Sequence, residues 1–261
     1  MPPISNYPLY LYRVFAKWLS FFVFGLGTLL IIVLLLPVMT LIIHPKERFA
    51  KLGRRLISFL LRVFTNIMRF MRVVRMDVDD REAYRRLSSK IIVLNHPSLL
   101  DVVMILSLVP NAVCIAKGYL MNRYNICRGI VRRLYIPNSL DFSELSAACL
   151  QSLEQGYCLV IFPEGTRTPR GGGALKLKKG AARLSIASGC GIIPVHIGGT
   201  DKWGLGKHDP WTAYNHTEEY VYRIRMQDEL SPGIYADLEN FHAVRRLNED
   251  IRKILTSPMK V

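Results

Sequence analysis

Acidic side chains are in short supply in this 261-residue chain: 20 Asp and Glu stand against 35 Lys and Arg, for a formal charge of +15. That imbalance favours anionic partners by long-range attraction: nucleic acid, anionic lipid or an acidic carrier protein. Cysteine is sparse as well. Cys114, Cys127, Cys149, Cys158 and Cys190 never fall in a C-x-x-C pair, which excludes a Cys-ligated zinc or redox motif and reads as reduced core thiols in a cytosolic setting. No G-x-S-x-G elbow occurs, so a hydrolase built on a serine nucleophile lacks its turn. No G-x-x-x-x-G-K-[S/T] loop occurs either, which removes the commonest nucleotide cradle. Internal repeats and low-complexity tracts are also absent.

What is abundant is apolar sequence near the start. Leu19 to Ile43 carries no charge and exceeds the roughly 20 residues a helix needs to cross the hydrocarbon core. It runs directly into His44, Pro45, Lys46 and Arg48 with no small-residue cleavage site, so it is expected to remain as an anchor rather than act as a removed signal. Basic residues lie mostly on its far side: Arg13 and Lys17 precede it, and Lys46, Arg48, Lys51, Arg54 and Arg55 follow. The bias places the remainder of the chain in the cytoplasm. Gly25, Gly27 and Pro37 interrupt the run, so a spanning helix and a hairpin dipping into one leaflet, with Pro37 near its turn, both stay open.

Between residues 46 and 75, Arg48, Lys51, Arg55, Arg62, Arg69 and Arg72 recur at helical spacing opposite an apolar surface that includes Leu56, Phe59, Leu60, Val63, Phe64 and Ile67. Such a helix lies on an anionic bilayer surface, packs on a domain core, or does both. The expected organisation is an anchor over residues 1–44, a basic amphipathic helix over 45–76, and an α/β domain over 77–261. Strands are expected at Ile91–Leu94, Ala112–Ala116, Leu159–Phe162, Ile192–Ile197 and Tyr220–Met226. Helices are expected at Ser98–Leu108, Phe142–Gln155, Lys179–Ser188 and about Ala236–Leu255.

Three stretches carry chemistry. In IIVLNHPSLLD an apolar strand delivers His96 to its carboxyl end, where sites collect in α/β sheets, and Asp101 follows within reach of a turn. A carboxylate there orients an imidazole that takes a proton from an attacking hydroxyl. Alone, the same spacing more often serves a capped turn, the His bonding the turn and Asp101 capping the helix. In LVIFPEGTRT a second strand ends at Pro163, and Glu164, Gly165, Thr166 and Arg167 lead into Thr168-Pro-Arg-Gly-Gly-Gly. This is a phosphate cradle or a glycine loop with solvated arginines. LKLKKGAARL then crowds Lys176, Lys178 and Lys179 at a helix start, suited to a phosphate-bearing ligand or to a solvated face. Pro194, within an apolar strand, marks an edge, a bulge or a close approach.

Together NHPSLLD, FPEGTRT, KKGAARL and IIPV resemble the lysophosphatidate (1-acylglycerol-3-phosphate) acyltransferases and their glycerolipid-acyltransferase relatives, in order and spacing, over about residues 90–200. The resemblance implies a mostly β-sheet core flanked by helices, joined to a membrane-embedded N-terminal segment. It implies that His96 is the general base, that Asp101 is its orienting partner, and that Glu164, Gly165, Thr166, Arg167 and Lys179 bind substrate, with Pro194 near the acyl chain. It also implies an acyl-CoA or acyl-carrier-protein donor, no metal or other cofactor, and membrane lipids rather than nucleic acid as partners; oligomeric state stays open. One position departs from the family: Asn138 stands where an arginine is expected to hold the acceptor phosphate, with Arg132 and Arg133 one turn earlier. The same chemistry on a non-phosphate acceptor is therefore the second reading, and a non-enzymatic basic membrane tether is a distant third.

Overall fold

The computed structural model describes residues 3–116, 134–137, 140–168 and 176–257. A long apolar helix opens the chain: α1 (Tyr7–Leu30) passes through a π-type stretch, Ile31–Leu35, into α2 (Leu36–Ile42). Asn6 caps it, its side chain accepting from Leu9 N at 3.0 Å. Pro37 falls in the first turn of α2, directly after the π stretch. The extra residue of that wider turn accommodates the missing N–H, so the helix continues instead of folding back at Pro37. The reversal comes at residues 43–45, after which α3 (Lys46–Phe70) returns alongside, with Phe24 and Phe64 rings 5.0 Å apart.

The two ends of this hairpin differ. The first half of α1 is docked on the rest of the molecule. Ala16, Lys17 and Ser20 are fully buried, and Lys17 Nζ donates to Trp211 O at 2.7 Å and Ala213 O at 2.5 Å. Arg13 Nη1 donates to Thr217 O at 3.4 Å. Farther along, Leu29, Val33, Leu34, Leu41 and Ile42 are exposed. Tyr7–Ile42 is one helix long and apolar enough to cross a membrane. On α3, Phe49, Phe64 and Met68 are buried, and Arg62 Nε reaches Ser107 O at 3.4 Å, so this amphipathic helix does pack on a core. It stops at Phe70, because Arg72 adopts a left-handed backbone (φ 53°); Arg72 therefore stands outside the expected basic stripe.

Among the described residues, the remaining elements build a seven-stranded sheet. In chain order they are β1 (Val74–Val78), α4 (Arg81–Arg86), β2 (Ile91–Leu94), α5 (Asp101–Leu108), β3 (Ala112–Ala116), β4 (Ile136–Pro137), α6 (Phe142–Glu154), β5 (Cys158–Ile161), α7 (Gly180–Ser188), β6 (Ile192–Gly199), β7 (Tyr220–Met226) and α8 (Asn240–Thr256). The strand order is β1-β7-β6-β2-β5-β3-β4, parallel except where β7 meets β6. Strand β2 lies in the middle and is buried at every position, as expected for a parallel strand covered on both faces.

Its side chains alternate. Ile92 and Leu94 join the core under α1, α3 and α5, whereas Ile91 and Val93 join the core under α6, α7 and α8. Each such side chain contributes about 1.5–3 kcal/mol by leaving water. Pro194 pairs with Val93 inside the sheet instead of at an edge. The β6–β7 ladder begins beyond it, at Val195 and Met226, so its missing N–H falls where that ladder has run out.

Candidate functional site

The site forms where β2 and β5 end side by side. Asn95 fixes the exit from β2: its buried side chain donates through Nδ2 to Ile197 O at 2.8 Å and accepts from Ile197 N at 2.7 Å. That pair of bonds imitates one more rung of the ladder, and His96 is the first residue free of the sheet. The ring of His96 packs 4.3 Å from that of Phe162, the residue after β5.

Asp101 opens α5 and reaches back toward the strand. Its Oδ2 accepts from His96 Nδ1 at 2.8 Å and from Ser98 N at 2.7 Å, and its Oδ1 accepts from Ser98 Oγ at 2.6 Å. Asp101 is fully buried, while the His96 side chain keeps 17% of its surface exposed. In a neutral imidazole, a buried carboxylate at Nδ1 holds the single ring proton on that nitrogen and leaves the lone pair to Nε2. Since Ser98 spends its hydroxyl proton on Asp101, it accepts at Oγ from Tyr222, whose hydroxyl donates across 2.7 Å. The Tyr222 phenol is raised well above its ordinary pKa by burial and stays a donor. Beside it, Lys202 Nζ stands 4.7 Å from the Tyr222 ring centroid and donates to Val221 O at 2.8 Å and to Thr200 O. Burial lowers this ammonium to about 8, partly opposed by attraction to Asp101.

The FPEGTRT loop is bound to the same histidine through the backbone. His96 N donates to Thr168 Oγ1 at 3.0 Å and to Glu164 Oε1 at 3.2 Å, Thr168 N donates to His96 O at 2.7 Å, and Thr168 Oγ1 donates to Glu164 Oε1 at 2.7 Å. Burial raises the Glu164 carboxyl, with the Thr168 and His96 donors pulling the other way. Gly165 has φ 67°, a left-handed backbone that favours glycine, and the end of the Lys178 side chain lies over it, its Cε and Nζ 3.0 Å from where a Cβ would stand.

The residues expected at the site are thus only partly gathered. His96, Asp101, Glu164 and Gly165 are brought together. Arg167 lies alongside, its Nη1 donating to Leu205 O at 2.9 Å and Gly206 O at 2.7 Å, with Leu99 N on the same Leu205 carbonyl. Thr166 is exposed on the turn, and Lys179, also exposed, begins α7 with its Nζ 5.4 Å from the Phe241 ring centroid. Pro194 shares its face with Val93, on the side of α6, α7 and α8. Asn138, Arg132 and Arg133 lie outside the described residues, as does the loop from Pro169 through the glycines. Among the described residues no three metal-ligating side chains cluster.

The sequence reading missed Ser98, Phe162, Thr168, Lys202 and Tyr222. Ser98 and Thr168 sit inside the two motifs, and their hydroxyls were the available signal. Tyr222 and Lys202 carry none, because only the antiparallel pairing of β7 with β6 brings them to Asp101.

On the hairpin side of α5 lies an apolar cavity of about 440 Å³, lined among others by Phe24, Gly27, Ile31, Phe64, Val103 and Cys114.

A histidine and a carboxylate thus meet at a strand end, locked to a Pro-Glu-Gly-Thr-Arg turn. Residues 75–198 match the family model described as Acyltransferase. Two curated relatives are each named 1-acyl-sn-glycerol-3-phosphate acyltransferase. That of Helicobacter pylori is 38% identical over 157 residues, 58% of this chain and 65% of the relative. That of Borreliella burgdorferi is 26% identical over 209 residues, 78% of this chain and 76% of the relative. The fold matches the crystal structure of the 1-acyl-sn-glycerophosphate acyltransferase PlsC of Thermotoga maritima, with a TM-score of 0.65 and 19% identity over 94% of this chain and 99% of that one.

Proposed function

We propose that this protein transfers a fatty acyl group from a thioester donor, acyl-CoA or acyl-carrier protein, to the free hydroxyl of 1-acylglycerol-3-phosphate, yielding phosphatidate. The observation that carries the reading is the 2.8 Å bond from His96 Nδ1 to a fully buried Asp101, which leaves Nε2 as the base. Nε2 takes the acceptor hydroxyl proton as that oxygen attacks the thioester carbonyl. The C–S bond then breaks, and the thiolate leaves with the proton held on the imidazolium. Asp101 supports the transient imidazolium, and the Thr168 and Glu164 contacts hold the His96 backbone so that the ring need not reorganise. The names of the relatives support the acceptor. The exposed apolar end of the hairpin and the basic side chains along α3 support attachment to an anionic bilayer, with the catalytic domain on the cytoplasmic side.

The test is acyl transfer in lipid vesicles, offering one labelled thioester to lysophosphatidate and to a non-phosphorylated lyso-lipid. Phosphatidate should form, and His96→Ala should lower kcat by at least about 10²–10⁴-fold with vesicle binding retained. Activity near wild type in that variant would sink the mechanism. Acylation of the non-phosphorylated lipid alone would replace the acceptor.

A further inference from the structure

A second hollow, of about 720 Å³, opens on the opposite face of the sheet, between α6, α7 and α8. Ile115, Ile161, Leu145, Leu184 and Val244 make it apolar, while Lys178 and Lys179 stand exposed among its lining residues. Two features connect this groove to His96. Phe162 lines it and also carries the His96 ring at 4.3 Å. Lys178 lines it too, with its Cε and Nζ laid over Gly165 in the turn whose Glu164 accepts from His96 N. The groove therefore ends at the same sheet edge as the reactive nitrogen but approaches it from the face away from the hairpin.

The cavity and the groove differ in charge. Among the described residues the hairpin-side cavity has no ionic residue in its lining, whereas the groove joins an apolar channel to cations. A lipid acceptor arrives through the apolar side. A water-soluble donor needs the other route, with a place for a long uncharged arm and for a phosphate at its end. We infer that the groove between α6, α7 and α8 holds the phosphopantetheine arm of the thioester donor, its phosphate against Lys178 and Lys179 and its thioester carried past Phe162 to His96. The inference rests on the acyl-transfer reading above and adds the donor's path to it. Lysine is a compact point charge that meets a phosphate without a fixed fork, which suits a ligand shared by free coenzyme A and a carrier protein.

Coenzyme A itself is the probe, titrated into the full-length His96→Ala chain, which binds without turnover. Adding Lys178→Glu and Lys179→Glu should weaken this binding at least tenfold, and Lys178→Arg with Lys179→Arg should leave it near its starting value. In the otherwise unaltered chain the Glu pair should raise KM for acyl-CoA and for acyl-carrier protein at least tenfold. KM for lysophosphatidate should stay within about twofold, and so should the rate with an acyl-N-acetylcysteamine, which lacks the phosphate. Coenzyme A affinity indifferent to the lysines would overturn the inference. So would a rise in KM for lysophosphatidate alone, which would make these cations the acceptor's, or a loss confined to the carrier-protein donor, which would make them a protein-docking patch. Absence of any transfer by the unaltered chain, with lysine-dependent coenzyme A binding intact, would instead overturn the acyl-transfer reading.

Discussion

Two pairs of lysines stand in opposite settings. Lys17 and Lys202 are buried, 0% and 5% exposed, and each ammonium is aimed at backbone carbonyls. Lys178 and Lys179 are exposed at the groove; Lys179 Nζ has an aromatic ring near it, and Lys178 lies across a glycine. In the sequence all four count toward the same basic surplus, and nothing local marks Lys17 or Lys202 as buried. The structure separates them by where the acceptors are: cations saturated by carbonyls hold the fold together, and cations left at a rim are available to an anion. The surplus of positive charge is therefore not one property but two.

The comparison breaks most sharply at Lys17. Lys17→Met leaves Trp211 O and Ala213 O without their donor and should cost about 2–4 kcal/mol, read as a lower thermal midpoint in detergent. No change would mean that α1 is not docked through this contact.

Lys202 gives a pH-dependent version. Its folded value near 8 lies below the unfolded value near 10.4, so above pH 8 the unfolded chain binds more protons and stability rises with pH until both states are neutral. Wild type should gain on the order of 3 kcal/mol relative to Lys202→Met between about pH 8 and 10.5, measured by urea unfolding. The buried tyrosines titrate the opposite way but are common to both proteins. A pH-independent gap would put the proton elsewhere.

Tyr222→Phe removes one neutral donor from Ser98 and keeps the ring under Lys202. It should lower kcat about three- to tenfold with both KM values unchanged, since about 1 kcal/mol is lost behind Asp101 and nothing touching substrate is lost. A change confined to KM would contradict that placement. Smallest of all, Lys178→Gln and Lys179→Gln should shift stability by no more than about 0.5 kcal/mol, checked by the same urea curves.

The sheet was readable because parallel buried strands leave continuous apolar runs, and β2, β3 and β7 match their expected limits. Strand β1 escaped notice since VRMDV sits at an edge, mixing charge with apolar residues, and β4 is two residues long and contains a proline. The contact of His96 with Asp101 was legible only once their spacing stood beside FPEGTRT and IIPV, because the spacing alone also fits a capped turn. Arg13 and Lys17 were counted as charges flanking an anchor, yet both bond to carbonyls in the segment from Trp211 to Thr217. Nothing local announces a contact across so many residues. Tyr222 was hidden for the same reason: it stands 124 residues from Ser98.

The docking of α1 has a geometric consequence. From Lys17 to Ile42 the chain runs about 25 residues as helix, on the order of 37 Å. One end is pinned to the Trp211 and Ala213 carbonyls of the sheet domain and the other is a bare apolar tip. A rod fixed in this way works as a depth gauge: whatever hydrophobic layer receives the tip, the height of His96 above it is set by helix length, one residue at a time.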